Sequence, residues 1–224
     1  MDVFCQYNGY KRFETAIKQH QPQEIAELIF KSGIKGRGGA GFPTGVKWKA
    51  VPEDIEPRYL VANADESEPG TFSNRYILEK NPHLLIEGML ICCYACGVHT
   101  AYIYIRGEFT LGKRRLDEAI QEAYQYGYLG SDIQGTGFDL NIYTHPGAGA
   151  YICGEDTALM ESLEGKRGQP RLRPPYPAES GFYGKPTLVQ NVETLCNLPF
   201  IVEHGEAWYR AIGHRYLDTL MNPP

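Results

Sequence analysis

The stretch GIKGRGGAGFPTGVKWKAV, Gly33 to Val51, decides how the rest of the chain is read. Its core, Gly36-Arg37-Gly38-Gly39-Ala40-Gly41, satisfies the letter of G-x-G-x-x-G, the dinucleotide fingerprint. That pattern carries its mechanism only when a strand precedes it and a helix follows, so that a pyrophosphate rests on the helix N-terminus. Here Gln21-Pro22-Gln23-Glu24 followed by IAELIFKSG predicts a helix before the loop, with proline in its first turn and Gly33 past its end. The fingerprint also needs an acid on a second strand about twenty residues on. Asp65 and Glu66 instead end the first strand after the loop, so the Rossmann reading of this loop fails on context. What survives is the physics of glycine. Lacking Cβ atoms, Gly36, Gly38, Gly39 and Gly41 turn N–H groups toward an anion, let a flat ring lie on the backbone, or simply form a structural loop. Lys47 adds a charge suited to phosphate.

Outward from the loop, strands and helices alternate. Tyr59-Leu60-Val61-Ala62 reads as a short apolar strand, and Asn81-Pro82 opens a long apolar helix to Gly97. Thr100 to Arg106 is a strand rich in aromatic and β-branched residues. Leu111 to Tyr126 has helical periodicity, with Leu116, Ala119, Ile120 and Ala123 on one face. Phe138 to Tyr143 alternates as a strand, and GAGAYICGEDTALMESLEG reads as a second glycine loop entering a helix. This alternation predicts an α/β fold, a mainly parallel sheet covered by helices. Ligands in such sheets bind beyond the carboxyl ends of the strands. Both NADESEPG and HPGAGAYICGED follow predicted strands there.

The whole chain sets limits. Its 224 residues, 42% of them hydrophobic, suffice for an α/β domain with a substantial core. A formal charge of −5 with acids and bases interspersed argues against nucleic acid and against an anionic membrane surface. Leu84 to Val98, the longest apolar stretch, is interrupted by Glu87 and too short to span a bilayer, and the N-terminus lacks a signal-peptide pattern. The chain is therefore expected to be cytoplasmic, without direct membrane insertion. Cys93-x-x-Cys96 has no second pair and lies in an apolar helix-like run, so its thiols read as small hydrophobes and no metal site is expected.

Three further segments bear on chemistry. Asn63 to Gly70 concentrates Asp65, Glu66 and Glu68, acceptors that suit ribose hydroxyls, a ring N–H or a metal, or else form a solvated acidic turn. In Gly147 to Thr157, Tyr151 is placed to contact a planar cofactor, while Glu155 and Asp156 also serve as favourable first-turn charges of a helix. From Gln169 to Lys185 the chain turns proline- and glycine-rich, and Arg171 and Arg173 beside Tyr176 suggest a clamp for an anionic, aromatic ligand or an ordinary fixed loop.

Taken in order, GRGGAGFPTGVKW, ANADESEPGTF, GAGAYICGEDTAL, RLRPPYPAESGFYGKPT and NVETLCN resemble the NADH-binding flavoprotein subunits of respiratory complex I, the family of bacterial NADH-quinone oxidoreductase F subunits. The module is shared with NAD-linked hydrogenases and formate dehydrogenases. The resemblance implies a Rossmann-like FMN-binding domain on which NADH stacks and passes hydride to the flavin. It implies that Gly36, Gly38, Lys47, Asn63, Asp65, Tyr151, Gly154, Glu155 and Asn191 surround FMN. Phe42, Glu68, Asp156, Arg173 and Tyr176 face NAD(H), and Arg37, Gly39, Ala40, Gly41, Gly45, Glu66, Val189, Gln190 and Thr194 complete the cofactor-binding set. Glu66, Tyr151 and Asp156 are the expected catalytic positions, acting as positioning groups, because hydride transfer needs no side-chain acid or base.

The same resemblance implies partners: other subunits of an electron-transfer complex, including an iron–sulfur subunit, that carry electrons to quinone and hold the chain peripherally at the cytoplasmic side of the inner membrane. Three departures stand out. Asp156 stands where the family usually has a second glutamate, which bears on the choice between NADH and NADPH. Ala50 stands where the family often has a bulkier side chain. The family continues into a ubiquitin-like domain and a helical domain with a four-cysteine motif, so a 4Fe-4S cluster is not expected in this chain. The expected organisation is a helical lead-in over 1–35, the FMN/NADH domain over 36–213 and an unrelated tail over 214–224. The chain reads as truncated, with a non-catalytic fragment that binds nucleotide or flavin as the alternative function.

Overall fold

A computed structural model describes residues 1–212 of the protein; the expected tail, 214–224, lies outside the described residues. Three helices come first: α1 (Asp2–Gln6), α2 (Lys11–Gln19) and α3 (Pro22–Ser32). Helix α3 starts where the sequence says it should. Gln21 and Glu24 form a reciprocal capping box, and Gly33 ends the helix in the left-handed region at φ 69°. The glycine stretch then makes an excursion closed at its base, where Gly36 N–H donates to the Phe42 carbonyl at 2.9 Å and Thr44 N–H to the Ile34 carbonyl at 2.9 Å. Helix α4 (Thr44–Lys49) follows.

The sheet is built from β1 (Tyr59–Ala64), β2 (Thr100–Ile105), β3 (Asn141–Pro146) and β4 (Thr187–Asn191). Helices α5 (Ser73–Lys80) and α6 (Pro82–Cys96) cross from β1 to β2, and α7 (Thr110–Gln125) crosses from β2 to β3. Helix α8 (Asp156–Leu163) and the proline-rich segment lead to β4, which runs into α9 (Val192–His204). The strand order is β3-β2-β1-β4 and every pairing is parallel. The chain therefore builds outward from β1 on one side and then returns to lay β4 on the other. That reversal leaves a crevice at the carboxyl ends of β1 and β4, the topological switch point where α/β sheets hold their ligands.

Two buried clusters flank the sheet. On one face Leu60, Ala62, Ala101, Ile103 and Ile142 pack with α6 and α9, together with Phe13, Ile25 and Ile29 from the N-terminal helices. On the other, Val61, Tyr104 and Val189 meet Leu159 and Met160 of α8, with Cys153 and Phe182. Helices α6 and α9 approach closely because Gly88 has no side chain: a Cβ there would lie 2.1 Å from the Leu195 carbonyl oxygen. Cys92, Cys93 and Cys96 are buried in α6, where burial pushes the Cys92 and Cys93 thiols up. Among the described residues no helix is long and apolar enough to cross a membrane.

The differences from the sequence reading are local. The strand expected over Phe138 to Tyr143 lies at Asn141–Pro146, because its parallel register with β2 begins at Asn141 opposite Thr100. Phe138 is buried just before it, so its apolar character reflects a core contact and not strand pairing. Strand β4 and helix α9 carry no expectation from periodicity; TLVQN is short and lies directly behind a proline-rich loop.

Candidate cofactor-binding cleft

The cleft is centred on two asparagines. Asn63 of β1 and Asn191 of β4 are register partners at the carboxyl end of the sheet. Asn191 caps α9, its Oδ1 accepting from Glu193 N–H at 2.9 Å and Thr194 N–H at 3.3 Å. Asn63 Nδ2 donates to the Gly154 carbonyl at 2.9 Å, and its Oδ1 accepts from Asp65 N–H at 3.1 Å. One side chain thus fixes the helix behind the crevice, and the other fixes the second glycine loop.

The first glycine loop closes over this pair. Arg37 N–H donates to Thr194 Oγ1 at 2.9 Å, and a Cβ on Gly38 would sit 3.4 Å from Asn191 Cβ. Two adjoining cavities result, of about 580 and 500 Å³, sharing Gly38, Asn63, Gly154, Glu155 and Asn191. The first adds Arg37, Gly39, Asp65, Glu66, Glu68 and Tyr151. The second adds Gly36, Ala40, Gly41, Phe42, Lys47, Asp156, Arg173, Val189 and Gln190. Residues from five separate stretches of sequence are brought together.

Three of the expected site residues line neither cavity. Gly45 is a packing glycine, since a Cβ there would lie 2.4 Å from Phe30 Cα and push α4 off α3. Thr194 is fully buried and bears on the cleft through its bonds to Arg37 and Asn191. Tyr176 stands on the proline-rich segment, 55% exposed. Arg171 is not available as a ligand clamp. It pairs with Glu161, and donates to Glu164 Oε1 at 2.7 Å and to the Gly181 carbonyl at 2.8 Å, stapling the segment onto α8. Arg173 does reach the cleft, where it pairs with both Glu155 and Asp156.

The acids have distinct settings. Glu155 caps α8, its Oε2 accepting from Thr157 N–H at 3.0 Å and Ala158 N–H at 2.8 Å. Burial works to raise its pKa, but hydrogen bonds with Asp156, Thr157 and Ala158 and the Arg173 charge hold it below the usual range. Burial and the neighbouring Glu155 raise that of Asp156. Glu66 turns its carboxylate to the start of α5, accepting from Asn74 N–H at 3.0 Å and Arg75 N–H at 2.9 Å. The Tyr151 hydroxyl donates to Glu68, leaving its ring largely exposed to the cleft. Lys47 is not a free phosphate hook: Nζ donates to the Val189 carbonyl at 2.7 Å and lies 3.9 Å from Asp156, and burial lowers its pKa.

Several buried polar atoms of the cleft walls have no hydrogen-bond partner among the described residues: Asp65 Oδ2, Gln190 Nε2 and Thr44 Oγ1. An unpaired buried polar group costs about 1–3 kcal/mol, and these three belong to residues that line the cleft. Burial pushes the Asp65 carboxyl up to about 6, against the pull of Arg106. Thr44, Ser73 and Asn74 also line the cavities and were missed from sequence. Their short polar side chains sit beside the glycines and acids of the two motifs, and nothing in their spacing marks them.

A parallel α/β sheet with a polar crevice at its switch point, walled by two glycine loops, defines a protein of the nucleotide-cofactor-binding α/β class. Residues 29–200 match the family model described as the Nuo51 FMN-binding domain, and the chain belongs to that family. It is 57% identical over 213 residues to the NADH-quinone oxidoreductase F subunit of Aquifex aeolicus (strain VF5), covering 95% of this chain and 50% of the relative. The F subunit from Escherichia coli (strain K12) is 50% identical over 214 residues, covering 95% and 48%. Among solved structures, an NAD+-reducing [NiFe]-hydrogenase in the H2-reduced state superposes with a TM-score of 0.82 at 42% identity, covering 91% of this chain and 34% of that one. The chain thus spans about half the length of the curated relatives it matches.

Proposed function

We propose that this chain is the electron-input part of an NADH dehydrogenase module, holding FMN at the switch point with NADH stacked on it. The observation that carries the reading is the set of unpartnered buried polar atoms in the cleft walls, an acceptor on Asp65, a donor on Gln190 and a hydroxyl on Thr44. An isoalloxazine edge offers a ring N–H and carbonyl oxygens, the complement of that set. Bound FMN would supply the hydride acceptor and release electrons singly to an iron–sulfur partner.

The chain's own residues bind and orient. Gly38 and Gly154 let the two loops pack closely on the strand ends, where a Cβ would stand 3.4 Å from Asn191 Cβ and 3.3 Å from the Asp65 carbonyl oxygen, respectively. Phe42 and Tyr151 present exposed ring faces for stacking. Glu68 offers acceptors to ribose hydroxyls, and Asp156, held between Lys47 and Arg173, is the carboxylate that bears on the choice between NADH and NADPH. The cleft residues hold no proton that the reaction requires, so Glu66, Tyr151 and Asp156 serve as positioning groups.

In the whole assembly, other subunits including an iron–sulfur partner would take the electrons on to quinone at the cytoplasmic side of the inner membrane. The likeness to the NAD+-reducing hydrogenase favours a second host, in which the same module exchanges electrons with a hydrogenase. The deciding experiment loads the chain with FMN and titrates it anaerobically with NADH and, separately, NADPH. Bleaching of the flavin by NADH, with turnover on an artificial acceptor, is the expected result. A chain that binds FMN without bleaching is a binding fragment, and one that binds no flavin refutes the proposal.

A further inference from the structure

We infer that Asn74 donates its side-chain amide to the phosphate of the flavin nucleotide, a contact that rests on the FMN reading of the cleft. Asn74 is in the first turn of α5, lines the larger cavity and is only 5% exposed. Its own N–H is taken by Glu66 Oε1 at 3.0 Å. Its Oδ1 accepts from Glu193 N–H at 3.3 Å. That second bond fixes the amide, because the atom facing an N–H must be the oxygen. Nδ2 is therefore the end left over, and it has no hydrogen-bond partner among the described residues. An amide on the cavity wall, with its acceptor satisfied and its two donors unspent, is free to donate to a ligand acceptor in the cavity.

The surroundings say which acceptor. The first turn of α9 gathers Asn74, through Glu193, and Arg37, through Thr194, at one end of the cavity. That helix start carries the positive end of the peptide dipoles, and the Arg37 guanidinium, which bonds the Tyr209 hydroxyl at 3.2 Å, adds a full charge. Two carboxylates stand at this end, each already accepting from donors of its own. Glu66 receives N–H groups of α5, and Glu193 Oε2 accepts from the Ser73 hydroxyl at 3.0 Å. Tyr151 and Glu68, bonded to one another, form a separate acidic and aromatic wall that suits a ring or a ribose and repels an anion. A phosphate monoester is the ligand group that fits donors from Asn74 and Arg37 together.

The test titrates the full chain with FMN and with riboflavin, which lacks the phosphate, by quenching of flavin fluorescence. Asn74→Asp keeps the acceptor for Glu193 N–H and replaces the donor with a negative charge; Asn74→Ala removes both. Each variant is expected to weaken FMN by about ten-fold or more, the loss of one charge-assisted hydrogen bond, while riboflavin changes by less than about two-fold. The ratio of the two affinities is the readout, so a variant that is merely less stable weakens both flavins alike and leaves the ratio unmoved. Thermal melts of the free chains record that stability separately. A wild-type chain that binds FMN, with an unchanged ratio in both variants, overturns the Asn74 contact alone. A wild-type chain that binds neither flavin overturns the FMN reading and this contact with it.

Discussion

Asn63 and Asn191 are register partners on adjacent parallel strands, yet their side chains diverge, one to the Gly154 carbonyl and one to the first N–H groups of α9. The cleft between them is therefore held open by bonds to two different walls. Replacing Asn191 by Ala removes the α9 cap and is expected to cost about 1 kcal/mol, lowering Tm by about 2–4 °C for a chain of this size. Asn191→Asp keeps the acceptor and should melt near wild type. Circular dichroism melts check both; an Ala variant as stable as wild type would show that Asn74 alone holds the helix.

Gly45 distinguishes packing from binding. A Cβ added there would stand only 2.4 Å from Phe30 Cα, so Gly45→Ala must displace α4 from α3. The expected loss is about 1–3 kcal/mol of stability, seen in denaturant midpoints with no ligand present. An unchanged midpoint would mean that α4 moves freely on α3.

The two arginines of the proline-rich segment should separate cleanly. Arg171 has its donors spent on Glu161, Glu164 and Gly181, and the Glu164 side chain is almost wholly buried. Arg171→Met is expected to cost about 1–3 kcal/mol, by removing charge-assisted bonds to Glu161 and Glu164, although Glu164 keeps the Tyr183 N–H and Lys166. Arg173→Met breaks a more exposed pairing, so stability should change by less than about 1 kcal/mol. Its effect belongs to the nucleotide: uncovering Glu155 and Asp156 should raise KM for NADH several-fold. Urea melts and steady-state kinetics on the two variants test the split, and a reversed pattern would contradict it.

Glu87 predicts a pH dependence. It is fully buried in α6, accepts from Phe13 N–H at 3.3 Å, lies 3.7 Å from Arg12, and burial pushes its carboxyl up from 4.5 to about 7. Tyr10 and Glu203 also face this group. The folded state then holds a proton that the unfolded state gives up, so this group's contribution is full below pH 4.5 and is lost as pH rises through about 7. Glu87→Gln should flatten that decline and gain relative stability at neutral pH. Chemical denaturation at a series of pH values reads the slope; an equal slope in the variant would show that Glu87 ionises normally.

Much of the architecture was legible because it depends on local rules. The helix before the glycine loop, bounded by Pro22 and Gly33, was readable from propensity and capping, and with the acids ending the first strand it ruled out the familiar fingerprint despite its letters. Strands β1 and β2 and helices α6 and α7 follow from periodicity within a residue or two. β3 was displaced because a buried aromatic imitates a strand position. The glycine and acid motifs, with the resemblance they carry, put most of the expected residues into the two cavities.

By itself the sequence determined the helix before the glycine loop, strands β1 and β2, helices α6 and α7, the glycine turns and the family the motifs belong to, since these depend on near neighbours in the chain. Only the tertiary structure decided which side chains are still free to act. Arg171, Lys47 and Gly45 looked available and are committed to Glu164, Val189 and Phe30, whereas Asn74 carried no signal and keeps an unspent amide in the cleft. The physical reason is that a hydrogen-bonding group's availability depends on partners far away in sequence, and strand order brings those partners together.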